Sequence, residues 1–255
     1  MKHLLILPLF LISGLVFGQE KNTIDFLSEI KQFDISALWT LNKIKYVFKN
    51  DTNIVERQEP LGYIGENYQR FNIHFISIIQ NSMNTLEYYV QGKSRILNRV
   101  FSFQGLITIT DSRIYNDEGL ANIKKGYVKG EYKFFEMSGQ NEAGITKGVF
   151  KTDFYLDKNG KITYDALQFN SDGFKNNQFE GIWTNYKGSV SIKCNWGDYR
   201  IPDSGDLDVG VEEFSVSQKY VPNGWLSYMV ANGMMYDMDR DYENTETKKW
   251  WLGKE

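Results

Sequence analysis

The sequence predicts an all-β protein. Its strands read as an antiparallel up-and-down meander that closes into a barrel or a strongly curved sheet, with short N- and C-terminal helices. A β-sandwich is the alternative arrangement. Three observations carry the prediction. Apolar and polar residues alternate with period two through most of the chain after residue 36. Turn clusters such as Asp157-Lys158-Asn159-Gly160, Asn170-Ser171-Asp172-Gly173 and Tyr186-Lys187-Gly188 join the later segments tightly, which favours antiparallel neighbours. The chain carries 17 Phe, 16 Tyr and 6 Trp but 1 Cys, so buried rings rather than disulfides must hold it together.

Residues 1–18 read as a secretory signal peptide. Lys2 supplies the positive start, residues 4–17 the apolar run, and Gly18 the small residue that ends it. The apolar run is too short for a comfortable membrane span, and no later run approaches that length. The expected location is outside the cytoplasm: periplasm, cell surface or extracellular space. Loss of Lys2 with the leader leaves 28 of the 29 basic residues against 32 acidic ones, a charge of −4. A mildly acidic chain has no long-range attraction for a phosphate backbone, which argues against nucleic acid as a partner.

The predicted organisation is a β domain over 19–202, with a short N-terminal helix. An acidic loop, a short helix and a tail over 203–255 pack on that same domain. In order, 23–33 reads as a helix capped by Thr23, with Ile24, Leu27 and Ile30 at helical spacing. Residues 36–48 read as a strand, with Leu38, Ile44, Tyr46 and Phe48 on one face, and 49–53 as a turn. Further strands are expected at 69–79, 86–91, 96–110, 127–137, 145–156, 162–169, 179–186 and 190–196. The 96–110 segment reads as one strand or as two divided near Gln104-Gly105. Glycines at 105, 130, 148 and 181 precede large side chains and give strands room to bend. Residues 224–231 make a short helical stripe ended by Asn232-Gly233, and Trp250-Trp251 reads as an anchor against the body of the fold.

Candidate functional residues cluster late. Trp196, Asp198, Tyr199 and Arg200 form a ligand-facing rim in one reading, with Trp183 nearby: aromatics to stack on a ligand and a charge pair to orient it. The competing reading is a structural corner, in which an Asp198–Arg200 pair and Trp196 plug a barrel end. Asp203, Asp206 and Asp208 crowd hard oxygen donors into one loop, a pattern that suits calcium, although the spacing matches no defined loop motif. Asp237, Asp239 and Asp241 begin like an EF-hand but meet Tyr242 and Lys248 where glycine and glutamate are required. His74 is the one histidine beyond the leader, read as a satisfied sheet residue, and Cys194 reads as a small buried hydrophobe. No nucleophile elbow, phosphate loop or dinucleotide fingerprint is present.

The strings Gly62-Tyr63-Ile64-Gly65, Tyr68-Gln69-Arg70-Phe71, Gly92-Lys93-Ser94, Phe103-Gln104-Gly105, Phe179-Glu180-Gly181-Ile182-Trp183 and Trp196 through Pro202 resemble a group of uncharacterised exported proteins of Gram-negative bacteria. That likeness implies no catalytic residues. In architecture the meander is similar to the calycins, which include the lipocalins; the similarity implies a barrel shape, while Trp39 lacks the glycine of the lipocalin Gly-x-Trp signature. The leading functional expectation is an exported non-enzymatic binding protein that holds a small apolar or glycan ligand in the barrel or at its rim. The alternatives are a carboxylate-dependent glycan-active enzyme and a structural envelope component with a protein partner.

Overall fold

Strand pairing in the computed structural model, which describes residues 22–48, 51–116, 123–139, 142–236 and 242–253, runs around a closed ring. The leader expected at 1–18 and the acidic run Asp237, Asp239 and Asp241 lie outside the described residues. Eight strands make the ring: β4 (Leu61–Ile64), β5 (Gln69–Asn81), β6 (Asn84–Ile96), β7 (Arg99–Tyr115), β8 (Lys124–Glu136), β9 (Gly144–Leu156), β11 (Asn176–Asn185) and β12 (Ser191–Asp198). Each pairs antiparallel with its neighbours, and β12 closes the ring on β4 from Cys194↔Ile64 to Gly197↔Leu61. Closure leaves no long edge on the ring strands, which is the barrel form of the sequence expectation rather than the sandwich.

Two short strands cover what closure leaves over. Strands β7, β8 and β9 overhang one end of the barrel. There β1 (Thr23–Asp25) pairs β7 beyond the end of β6, and β10 (Ile162–Tyr164) pairs β9 beyond the end of β11. A separate hairpin, β2 (Lys43–Phe48) with β3 (Asp51–Glu56), stands apart from the ring.

Several boundaries differ from the sequence reading, each for a physical reason. The expected 23–33 helix is β1 followed by one turn, α1 (Leu27–Ile30), because Thr23 to Asp25 find partners on β7. The expected strand over 36–48 is split. Leu38 and Trp39 lie in a short helix, α2 (Ala37–Thr40), and both are buried, whereas a strand would send these neighbours to opposite faces. The 162–169 segment is a strand only over β10; Phe169 and Phe174 then pack on Tyr199. Residues 96–110 belong mainly to β7, one 17-residue strand. The sequence reading had no strand at β3 or β4.

The barrel interior is packed with rings. Phe179 stacks on Trp196 with centroids 5.0 Å apart, Phe103 stacks on Phe134 at 5.0 Å, and Tyr132 meets Trp196 edge-on at 5.1 Å. Trp39 on α2 reaches into the overhanging end, where it meets Tyr88 and Phe150 edge-on and donates its Nε1–H to Thr152 Oγ1 at 3.0 Å. Glycine lets the backbones of β9 and β11 approach closely. Gly148 and Gly181 are register partners, and a Cβ on Gly148 would fall 1.9 Å from the carbonyl oxygen of Glu180.

A second apolar cluster joins the C-terminal segment to the barrel. Helix α3 (Leu226–Ala231) and the loop before it bury Leu207, Phe214, Val216, Trp225 and Met229 against Leu61, Tyr63 and Ile201. Asn232 caps α3 as expected. Beyond it lie α4 (Tyr242–Thr247) and a 3-10 turn at Trp250–Leu252. No helix among the described residues is long and apolar enough to cross a membrane.

Candidate binding groove on the barrel wall

The predicted rim residues are dispersed. Trp196 points into the barrel and is fully buried. Trp183 lies toward the other end of β11 from Asn176, where its Nε1–H bonds Glu136 Oε2 at 3.1 Å. Burial raises the Glu136 carboxyl above the usual carboxylate range, against the bonds it accepts from Trp183, Ser94 and Gly144. Tyr199, with a left-handed φ of 65°, packs against Phe169 and Phe174.

The expected Asp198–Arg200 pair does not form. Asp198 binds Arg57 instead, a residue the sequence reading passed over, with Nε and Nη2 at 3.0 and 2.9 Å from its two oxygens. It also accepts bonds from Tyr164 Oη and Asn177 Nδ2, each at 2.8 Å. Arg57 Nη1 donates to the carbonyls of Trp39 and Leu41. One buried ion pair therefore ties the last barrel strand to the N-terminal plug. Burial pushes the Arg57 pKa down, but the charge and hydrogen bonds of Asp198 more than reverse this, and the net shift is upward. Burial and the Asp198 charge raise the Tyr164 hydroxyl. The cluster is a structural corner, built from partners 141 residues apart.

Arg200 pairs with Asp208 at 2.6 Å and donates to the carbonyls of Gly210 and Val211. Asp203 pairs with Lys193, and Asp206 with Lys219 and Tyr220. The three aspartates expected to share a calcium ion thus turn to three different cations. Among the described residues no group of three His, Cys, Asp or Glu side chains is arranged to hold a metal.

A groove of ≈ 710 Å³ opens on the outer wall. Its floor is the outward face of β5 and β6. Alternation sends Phe71, Ile73 and Phe75 into the barrel, so Arg70, Asn72 and His74 face out, with Arg95 opposite Asn72 and Lys93 opposite His74. The 56–61 segment forms one side; Tyr228 and Asn232 of the α3 region, with Glu246, Lys249, Trp250 and Trp251, form the other.

The tail is held to this floor by specific contacts. Arg70 makes a two-pronged pair with Glu246 at 2.8 and 2.5 Å. Burial opposes ionisation of Glu246, but the bond and charge of Arg70 prevail and lower its pKa. Trp251 stacks on His74 with centroids 3.7 Å apart and planes 10° from parallel, and its carbonyl accepts from Lys93 Nζ at 2.5 Å. His74 Nδ1 meets Glu59 at 2.9 Å. Arg95 lies over the Trp250 ring at 5.0 Å, and its Nε and Nη2 donate to Asn72 Oδ1. Burial, then the charge of Arg70, lower the Arg95 pKa.

A smaller cleft of ≈ 260 Å³ lies beside β9 and β10. Its Asp153 and Asp165 are paired with Lys151 and Lys125. Sequence reasoning missed the larger groove because its lining comes from six separate stretches; the one pointer was the Trp250-Trp251 doublet, expected as an anchor.

No protein-family model matches the chain, and neither a curated protein nor a solved structure is detectably similar to it.

Proposed function

We propose that this chain is an exported binding protein that holds a small-molecule or glycan ligand in the groove on its outer wall. The observation that carries the reading is the groove itself: a concave site of ≈ 710 Å³ with two indoles, an imidazole, amides and guanidinium groups converging on it. The barrel interior offers the ligand less, since stacked rings occupy it. Of the acids of the groove, Glu56 is engaged by Lys43, Glu59 by His74 and Glu246 by Arg70. Carboxylates so held favour binding over hydrolysis by a pair of free carboxyl groups.

The test is a screen of the full chain against glycans and small metabolites, read by quenching of tryptophan fluorescence. Ala231→Trp, which places an indole in the groove, is run in parallel. Saturable binding that this substitution abolishes is the expected result. Binding that survives it, or a blank screen, overturns the proposal.

A further inference from the structure

We infer that the groove selects an anionic saccharide, a sugar carrying a carboxylate, sulfate or phosphate, with Arg95 receiving the oxyanion and Trp250 and Trp251 the ring. The inference rests on the groove being the ligand site and adds the chemical class. Its first support is a charge count at the site. Arg57 is neutralised by Asp198, Arg70 by Glu246 and Glu56 by Lys43, while Glu59 meets the imidazole of His74. Arg95 and Lys249 remain on the lining against the one carboxylate of Glu59; neither makes an ion pair among the described residues, and the charge of Glu246 that also acts on Arg95 is already held by Arg70. On a chain of net charge −3 the groove therefore holds an excess of positive charge.

The second support is the setting of Arg95. Its guanidinium is half-buried, lies over an indole and donates two hydrogen bonds to one amide oxygen, which does not neutralise it. A desolvated guanidinium gains most from an ionised acceptor, and its fork fits a carboxylate, sulfate or phosphate. The third support is the company it keeps. Asn42, Gln58, Asn72 and Asn232 bring amides to the same groove as the indoles, and amides beside aromatic faces match hydroxyls beside the apolar face of a sugar ring.

Calorimetric titration of the full chain tests this with three probes: a galacturonic acid tetramer, its neutral methyl ester, and inorganic phosphate. The acid is expected to bind at least about tenfold tighter than the ester, with an advantage that shrinks as salt is raised. Arg95→Met keeps the stem against Trp250 and should remove most of that advantage while leaving the ester within about twofold; Arg95→Lys should restore part of it. Lys249→Met, at an exposed position, should cost the acid about twofold to fivefold. Equal binding of acid and ester, both abolished by Ala231→Trp, overturns the charge inference and leaves the groove standing as the site. Acid binding indifferent to Arg95→Met and to Ala231→Trp overturns both. Phosphate binding as tight as the tetramer overturns the saccharide class, and no binding of any probe overturns the inference outright.

Discussion

Replacing Asp198 by alanine removes the acceptor of four hydrogen bonds at once: two from Arg57, one from Tyr164 and one from Asn177. The Asp198 side chain has 0% exposure and that of Arg57 8%, so water cannot take over the lost role. Arg57 keeps its Nη1 bonds to Trp39 and Leu41, and Asn177 keeps its bond to Leu38, so the damage centres on one uncompensated guanidinium and one stranded phenol. Breaking a buried pair costs about 3–5 kcal/mol. An orphaned hydroxyl adds about 1–3 kcal/mol, and the two are not fully additive. A loss of about 5 kcal/mol is expected, a large part of the ~5–15 kcal/mol that a domain has in hand. At about 2–4 °C per kcal/mol for a chain of this size, the midpoint should fall by roughly 10–20 °C. Urea unfolding followed by tryptophan fluorescence measures the free-energy loss, and thermal unfolding followed by circular dichroism measures the midpoint. The double variant Arg57→Met with Asp198→Leu, which leaves no charge behind, should recover much of the loss. A single variant within about 1 kcal/mol of the parent, or a double variant no better than the sum of the singles, would refute the account of this corner.

Three further outcomes follow from the same contacts. Glu136 has a pKa raised by burial, so its contribution to stability is fully present below the unfolded carboxylate pKa and is lost as pH rises through the folded one. Glu136→Gln, whose amide oxygen can still accept from Trp183 and Gly144, should therefore gain on the parent in melting temperature between pH 4 and pH 8; a pH-independent difference contradicts this. Trp196→Ala should cost about 3–5 kcal/mol, as expected for emptying a packed ring site, while Trp250→Ala should cost well under half of that. Equal losses would mean that the barrel interior is not the core. Cys194 is fully buried, and burial raises its thiol pKa well above the ordinary value. Native protein should release no colour from a thiol-specific disulfide reagent, and denatured protein should react at one thiol per chain; rapid reaction of the native form disproves the placement.

Much of the barrel is legible in the amino-acid pattern. Strands β8, β9, β11 and β12 each alternate over enough residues to declare a face, and Asn159-Gly160 and Lys187-Gly188 mark the turns that follow β9 and β11. Where the pattern is short it fails. Leu38 and Trp39 sit in a stretch that alternates well enough for a strand, yet the plug they form needs both on one side, which a single helical turn supplies. Strand β4, only four residues long and buried throughout, has no period to read.

The sequence by itself determined the all-β class, the approximate place of most strands and their antiparallel pairing, because side-chain alternation and turn chemistry act over a few residues and are written locally. Only the tertiary structure decided who meets whom across the closed ring. Asp198 and Arg200 stand two places apart, and proximity in sequence suggested a pair. The strand ends at Asp198 with its side chain turned inward to Arg57, while Arg200 lies past the end and meets Asp208. The groove obeys the same rule: Arg95, His74 and Trp250 have no relation in spacing, and they meet because β5 and β6 are paired and the tail is drawn across them by Glu246 on Arg70. Long-range contacts are set by strand register and ring closure, which depend on every strand at once and so cannot be read from any one of them.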